Sequence, residues 1–178
     1  LKTDTNVADD FDNIPHIVES VIDGDTIKIS KTQEGSWRER VKVRLLGIDA
    51  PEKGECYYRE SREHLTDLIK DKQILIEKDI SGVDKYDRFL RYVILPNEDP
   101  AEDNILVNEK LIREGYVLYT ASPPNNRYND LFATAERKAK SEGLGIWGDC
   151  NKYKNKEKAT DKLREKDDAL PPSPECTI

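Results

Sequence analysis

The chain has 178 residues, 36% of them hydrophobic and 37% charged, with a formal net charge of −7. That length suits one domain with an ordinary core, and no apolar run approaches the length needed to cross a bilayer. The acidity argues against a passive nucleic-acid binder, whose affinity comes mostly from neutralising phosphates; it argues less against an enzyme, which can hold a phosphate with a few focused arginines and a cation.

The chain opens on Leu1 and contains no Met. It is therefore expected to be a processed product whose signal segment has been removed. Residues 1–14 are polar and acidic without periodicity and read as a loose arm. HIVESVIDGDTIKIS gives two β-like runs around the turn Asp23-Gly24-Asp25. RVKVRLLGI alternates, with Val41, Val43 and Leu45 on one face and Arg40, Lys42, Arg44 and Leu46 on the other. QILIEKDI and RFLRYVIL add two strands, joined by the polar SGVDKYD. Between these, Tyr58, Ser61, Leu65, Leu68 and Ile69 share one face of a helix over roughly 57–70. VNEKLIREG sets Val107, Leu111 and Ile112 on one side and ends on Gly115. A third helix over about 128–142 carries the stripe Tyr128, Leu131, Phe132, Ala135 and Ala139 and closes on Gly143. Residues 152–178 mix charges, include a candidate short helix over 156–166, and end Pro-rich, with little to bury. The expected fold is α+β: a five-stranded Greek-key barrel of the OB type with three packed helices, over 15–151.

The chain has three cysteines, Cys56, Cys150 and Cys176. Pairing of Cys56 with Cys150, pairing of Cys150 with Cys176, and free thiols all remain open from the count. His16 and His64 lie far apart in sequence, and no His/Cys spacing suits zinc.

The charged residues at strand ends carry the chemistry. Asp25 follows the first turn, Asp49 and Glu52 flank Pro51, Arg44 lies inside its strand, and Arg88 begins the last one. Each alone reads as a turn or exposed strand residue. Together they have a shared use. Two aspartates and a backbone carbonyl are hard ligands for Ca²⁺ or Mg²⁺. Arginines grip phosphate oxygens and stabilise charge developing at phosphorus. A remaining carboxylate can orient or deprotonate water.

VIDGDTIKI, VRLLGIDAPE, DKYDRFLRYVIL, VNEKLIREGYV, PPNNRY and GLGIW occur in an order that resembles the staphylococcal nuclease (thermonuclease) family, over roughly residues 16–148. The resemblance implies an OB-type barrel and a nuclease acting on DNA and RNA with one Ca²⁺ ion, cleaving the 5′ P–O bond to leave 3′-phosphates. It implies Asp25, Asp49 and the Ala50 carbonyl as ion ligands, where close relatives have threonine at the position of Ala50. It implies Glu52 as general base and Arg44 and Arg88 as contacts to the scissile phosphate. Lys85 and Tyr86 match pocket residues, where the tyrosine can stack on a base; Tyr119 corresponds approximately to another. The turn carries Asp87 where glycine is commoner, and aspartate tolerates left-handed backbone. The resemblance also favours a Cys56–Cys150 disulfide in an exported, secreted or cell-surface protein. The expected substrates are single-stranded or loosened duplex nucleic acid, the expected state is a monomer, and no membrane partner is expected. The competing readings are a non-catalytic nucleic-acid- or protein-binding barrel and a metal-stabilised structural domain. The second of these leaves Arg44 and Arg88 without a purpose.

Overall fold

Apolar residues at every second position build the barrel wall. In the computed structural model these are β1 (His16–Val21), β2 (Thr26–Lys31), β3 (Arg40–Leu45), β5 (Gln73–Glu77) and β6 (Phe89–Leu95), with short β4 (Ile48–Asp49), β7 (Ile105–Leu106) and β8 (Leu118–Tyr119). The structure describes residues 12, 14–31 and 40–153. Most of the expected arm, the tail beyond Tyr153, its candidate helix and Cys176 lie outside the described residues.

The main sheet runs β3-β2-β1-β5-β6-β7, and parallel pairing of β3 with β6 closes it into a five-stranded barrel. Val18, Ile27, Ile29, Val43, Leu45, Ile74, Ile76 and Val93 fill the interior. Three helices pack on the barrel as expected: α1 (Tyr58–Ile69), α2 (Val107–Arg113) and α3 (Asn129–Glu142); a short α4 (Ile146–Asp149) follows. Ser61, Leu65 and Ile69 of α1 are buried, as are Val107, Leu111 and Ile112 of α2. In α3 the stripe is narrower than its periodicity predicts. Phe132, Ala135 and Ala139 are buried, but Leu131 is 45% exposed, because it sits at the edge of the face that meets the barrel. Among the described residues no helix is long and apolar enough to cross a membrane.

Two buried polar residues fasten the elements that lead to the strand ends. Asn108 accepts the Val93 N–H at 2.9 Å and donates to the Leu46 carbonyl at 2.8 Å, so α2 holds both β6 and the end of β3. Arg91, fully buried in β6, meets the Asp12 carboxylate at 2.6 Å and donates to the Gly82 carbonyl at 2.7 Å. A buried guanidinium is tolerable only when its charge and donors are met this way. It ties the start of the domain and the loop after β5 to one strand.

Cys56 and Cys150 form a disulfide with a Cα separation of 5.9 Å, across 94 residues. It joins the loop after β4 to the end of α4, which decides among the pairings left open by the cysteine count. Closing a loop of that length removes denatured-state entropy. Reduction, or Cys56→Ser with Cys150→Ser, should therefore lower the unfolding free energy by about 4–5 kcal/mol. Urea denaturation with and without reductant measures this; a loss below about 1 kcal/mol would contradict the entropic account.

Candidate active site

The site begins with Gly24. A Cβ there would lie 2.0 Å from Ser61 Oγ and 2.8 Å from the Ala50 Cβ, so only glycine lets this turn press against both α1 and the chain after β4. The next residue, Asp25, is thereby set beside Ala50. Its carboxylate accepts the Ala50 N–H at 2.9 Å and the Thr26 hydroxyl at 2.9 Å, and its own carbonyl accepts the Leu45 N–H at 2.8 Å. Asp49 arrives by a different route. Asn108 fixes Leu46, Gly47 turns with φ +74° under the Phe132 ring, and Ile48–Asp49 pair with Tyr119 and Leu118.

Arg44 joins the two aspartates. Its Nη2 lies 3.0 Å from Asp25 Oδ2 and 3.3 Å from Asp49 Oδ1, and its Nη1 donates to the carbonyls of Leu45 and Ile48, both at 2.8 Å. The sequence places Arg44 on the polar face of its strand, and the structure turns it along that face toward the acids. Asp25 is only 7% exposed. Its burial pushes its carboxyl pKa up to about 6, with Asp23 adding to the rise; Arg44, the Ala50 N–H and Thr26 offset only part of it. Burial thus outweighs the guanidinium beside this carboxylate.

Arg88 is presented by Asp84. The Asp84 carboxylate accepts the Arg88 N–H at 3.0 Å, the Arg88 Nε–H at 2.8 Å and the Tyr86 N–H at 2.8 Å. Burial alone would raise its pKa, but the hydrogen bonds from Arg88 and Tyr86 and the Arg88 charge outweigh that and hold it below the ordinary value. The turn closes with Asp87 at φ 58°, the left-handed conformation its side chain tolerates. Arg88 precedes β6 instead of beginning it. Arg44 and Arg88 line one open cleft of about 260 Å³, with Ser81, Asp84, Leu90, Ser122, Pro123 and Asn125. Asn125 Oδ1 accepts the Ser81 N–H at 2.7 Å, and Asp79 accepts the N–H groups of Asn126 and Arg127, which seats the PPNNRY segment as the cleft wall.

The remaining sequence candidates stand further out. Glu52 is exposed on the turn after Pro51, where its N–H donates to Glu55 and the disulfide confines the loop. Tyr86 is 66% exposed, with the Lys85 ammonium 5.0 Å and the Arg88 guanidinium 5.5 Å from its ring. Tyr119 lies on β8, half-buried, with its ring against Phe132. Asp84 and Asn108 escape sequence reasoning as site supports. For Asp84 a signal exists, an aspartate at the head of a turn; for Asn108 none does.

Among the described residues, no three His, Cys, Asp or Glu side chains stand together as a metal cage. The oxygen donors expected from the sequence are the Asp25 and Asp49 carboxylates, which share Arg44 Nη2, and the Ala50 carbonyl. Hard oxygens of this kind fit Ca²⁺ or Mg²⁺.

A family model described as Staphylococcal nuclease homologue matches residues 42–149. The chain is 33% identical to a thermonuclease from Staphylococcus intermedius, covering 74% of this chain and 75% of that one. It is 31% identical to a micrococcal nuclease from Shigella flexneri over 74% and 72% of the two chains. A thermonuclease from Staphylococcus hyicus is 29% identical over 71% and 72%.

Asp25 predicts a pH signature in chelator-treated protein. Its folded pKa of about 6 exceeds the ordinary 3.8. Its contribution to stability is therefore full below the lower value and is lost as pH rises through the upper one. Asp25→Asn stays neutral throughout. Between about pH 4 and about pH 7.5, the wild type should lose about 2–3 kcal/mol relative to that variant in urea denaturation. A constant difference would refute the raised pKa.

Proposed function

Starting from the staphylococcal nuclease family, to which this chain belongs, we propose that the protein is a calcium-dependent nuclease hydrolysing phosphodiester bonds of DNA and RNA. The observation that carries this reading is the cleft shared by Arg44 and Arg88, with Arg44 bound at its other side to two carboxylates. Both arginines have structural partners, yet both also line the one cleft, where a phosphodiester would use them together.

In this reading Asp25, Asp49 and the Ala50 carbonyl would hold one Ca²⁺, which would supply positive charge to attract the phosphate and to offset the buried acid. Arg88, oriented by Asp84, donates to the non-bridging phosphate oxygens as negative charge grows on them. Arg44 supplies a second fixed positive charge at the cleft. Glu52 accepts a proton from water as the oxygen attacks phosphorus. The P–O5′ bond breaks, the leaving oxygen takes up a proton, and the products carry a 3′-phosphate and a 5′-hydroxyl. Lys85 and Tyr86 flank the substrate, the tyrosine offering an exposed ring to a base, and Tyr119 stands behind β4. An open cleft with one stacking ring suits single-stranded or loosened duplex substrates.

The catalytic unit in this reading is residues 15–151, acting as a monomer. Export to an oxidising compartment is supported by the Cys56–Cys150 bond.

Single-stranded DNA should be cleaved in calcium and left intact after chelation; no calcium-dependent cleavage under oxidising conditions would leave the binding-module reading. Glu52→Gln and Arg88→Ala should each lower kcat by about 10²-fold or more, Glu52→Gln with little change in substrate binding. Full turnover by Glu52→Gln would remove its assignment as base. Single-turnover kinetics with a labelled oligonucleotide separate the two effects.

A further inference from the structure

The outer face of β2–β3 carries charges that the fold does not use. Lys28 stands directly opposite Lys42 across the antiparallel pair, and both are exposed. Among the described residues neither ammonium has an ion-pair partner. Arg40, two residues before Lys42, is matched by Glu19 at 2.9 Å. Like charges facing each other across strands destabilise a sheet, and in a chain of net charge −7 a carboxylate to relieve them is easily supplied. An anion seated between the two lysines would convert that cost into binding.

The register says which anion fits. Arg44 follows Lys42 by two residues on the same face, a step of about 6.5–7 Å along a strand, comparable to the spacing of successive phosphates along an extended nucleic-acid strand. On the other side β3 runs parallel to β6 with Val43 opposite Phe89 and Arg44 opposite Leu90. One step back in that register sets Lys42 level with Arg88. Lys28, Lys42 and Arg88 therefore form a row across neighbouring chain segments, beside the cleft that holds Arg44.

We propose that Lys42, supported by Lys28, forms a phosphate track that takes the backbone phosphate next to the scissile one. The track rests on the nuclease reading and extends it, as it gives this acidic protein a local path of positive charge into its cleft. A lysine serves here as a point charge without base preference, so the track favours longer strands and not particular sequences.

The test compares the full-length wild type, Lys28→Gln/Lys42→Gln, and Lys138→Gln on exposed α3 as a control. Binding of fluorescein-labelled oligo(dT) twelve nucleotides long is followed by anisotropy in chelator over a range of salt. The double variant should bind about tenfold more weakly, and its slope of log affinity against log salt should be shallower by about 0.7, the value for one lost phosphate contact on a single strand. Lys138→Gln should match the wild type. In calcium, the advantage in kcat/KM of the twelve-mer over a dinucleotide with a single phosphodiester should shrink by a similar factor. An unchanged salt slope and chain-length advantage in the double variant would overturn the track. Wild-type protein that shows lysine-dependent binding but no cleavage in calcium would overturn the nuclease reading and leave the track standing.

Discussion

The site depends on one guanidinium. Arg44 holds Asp25 and Asp49 with one nitrogen and the carbonyls of Leu45 and Ile48 with the other. Asp25 is buried and Asp49 exposed, and a buried carboxylate with a second one near it costs less when a positive charge stands between them. Because Arg44 comes from the strand that ends just before Asp49, the same residue balances the acids and fixes the turn that delivers one of them. Burial nevertheless raises the Asp25 carboxyl pKa in spite of the guanidinium beside it.

The scaffold around that guanidinium limits its freedom at several points. Asn108 fixes the carbonyl where β3 ends, Gly24 admits α1 and Ala50 to the first turn, and the disulfide confines the loop that carries Glu52. On the opposite wall Asp84 spends its carboxylate on aiming Arg88. Few of these groups face the cleft. They determine where the cleft's charged atoms can stand, and rigid placement is what lets fixed charges act on a developing negative charge.

The overall acidity and the assigned chemistry are reconciled locally. Most acidic groups at the site are occupied by a neighbouring cation or N–H: Asp84 by Arg88, Asp49 by Arg44, Glu55 by Lys152. Asp87 adds a negative charge beside Arg88, and its left-handed turn is the geometric reason an aspartate serves there. On the β2–β3 face Lys28 and Lys42 stand opposite one another beside the arginine-lined cleft, so phosphate meets a local positive field within an acidic chain.

The five barrel strands, the three main helices and the charged residues at strand ends were legible in the chain alone. Alternation and helical spacing follow from local backbone geometry, and the motif order carried the family. The sequence did not determine that Leu131 is exposed, since periodicity marks a stripe but not how wide a face the barrel covers. Nor did it choose among the cysteine pairings without the resemblance. Folding alone reveals that Arg44 turns to Asp25 and Asp49, that Asp84 orients Arg88, and that Arg44 and Arg88 share one cleft. Barrel closure through β3 and β6 brings those residues together, and contacts made by closure leave no local periodic signal in the chain.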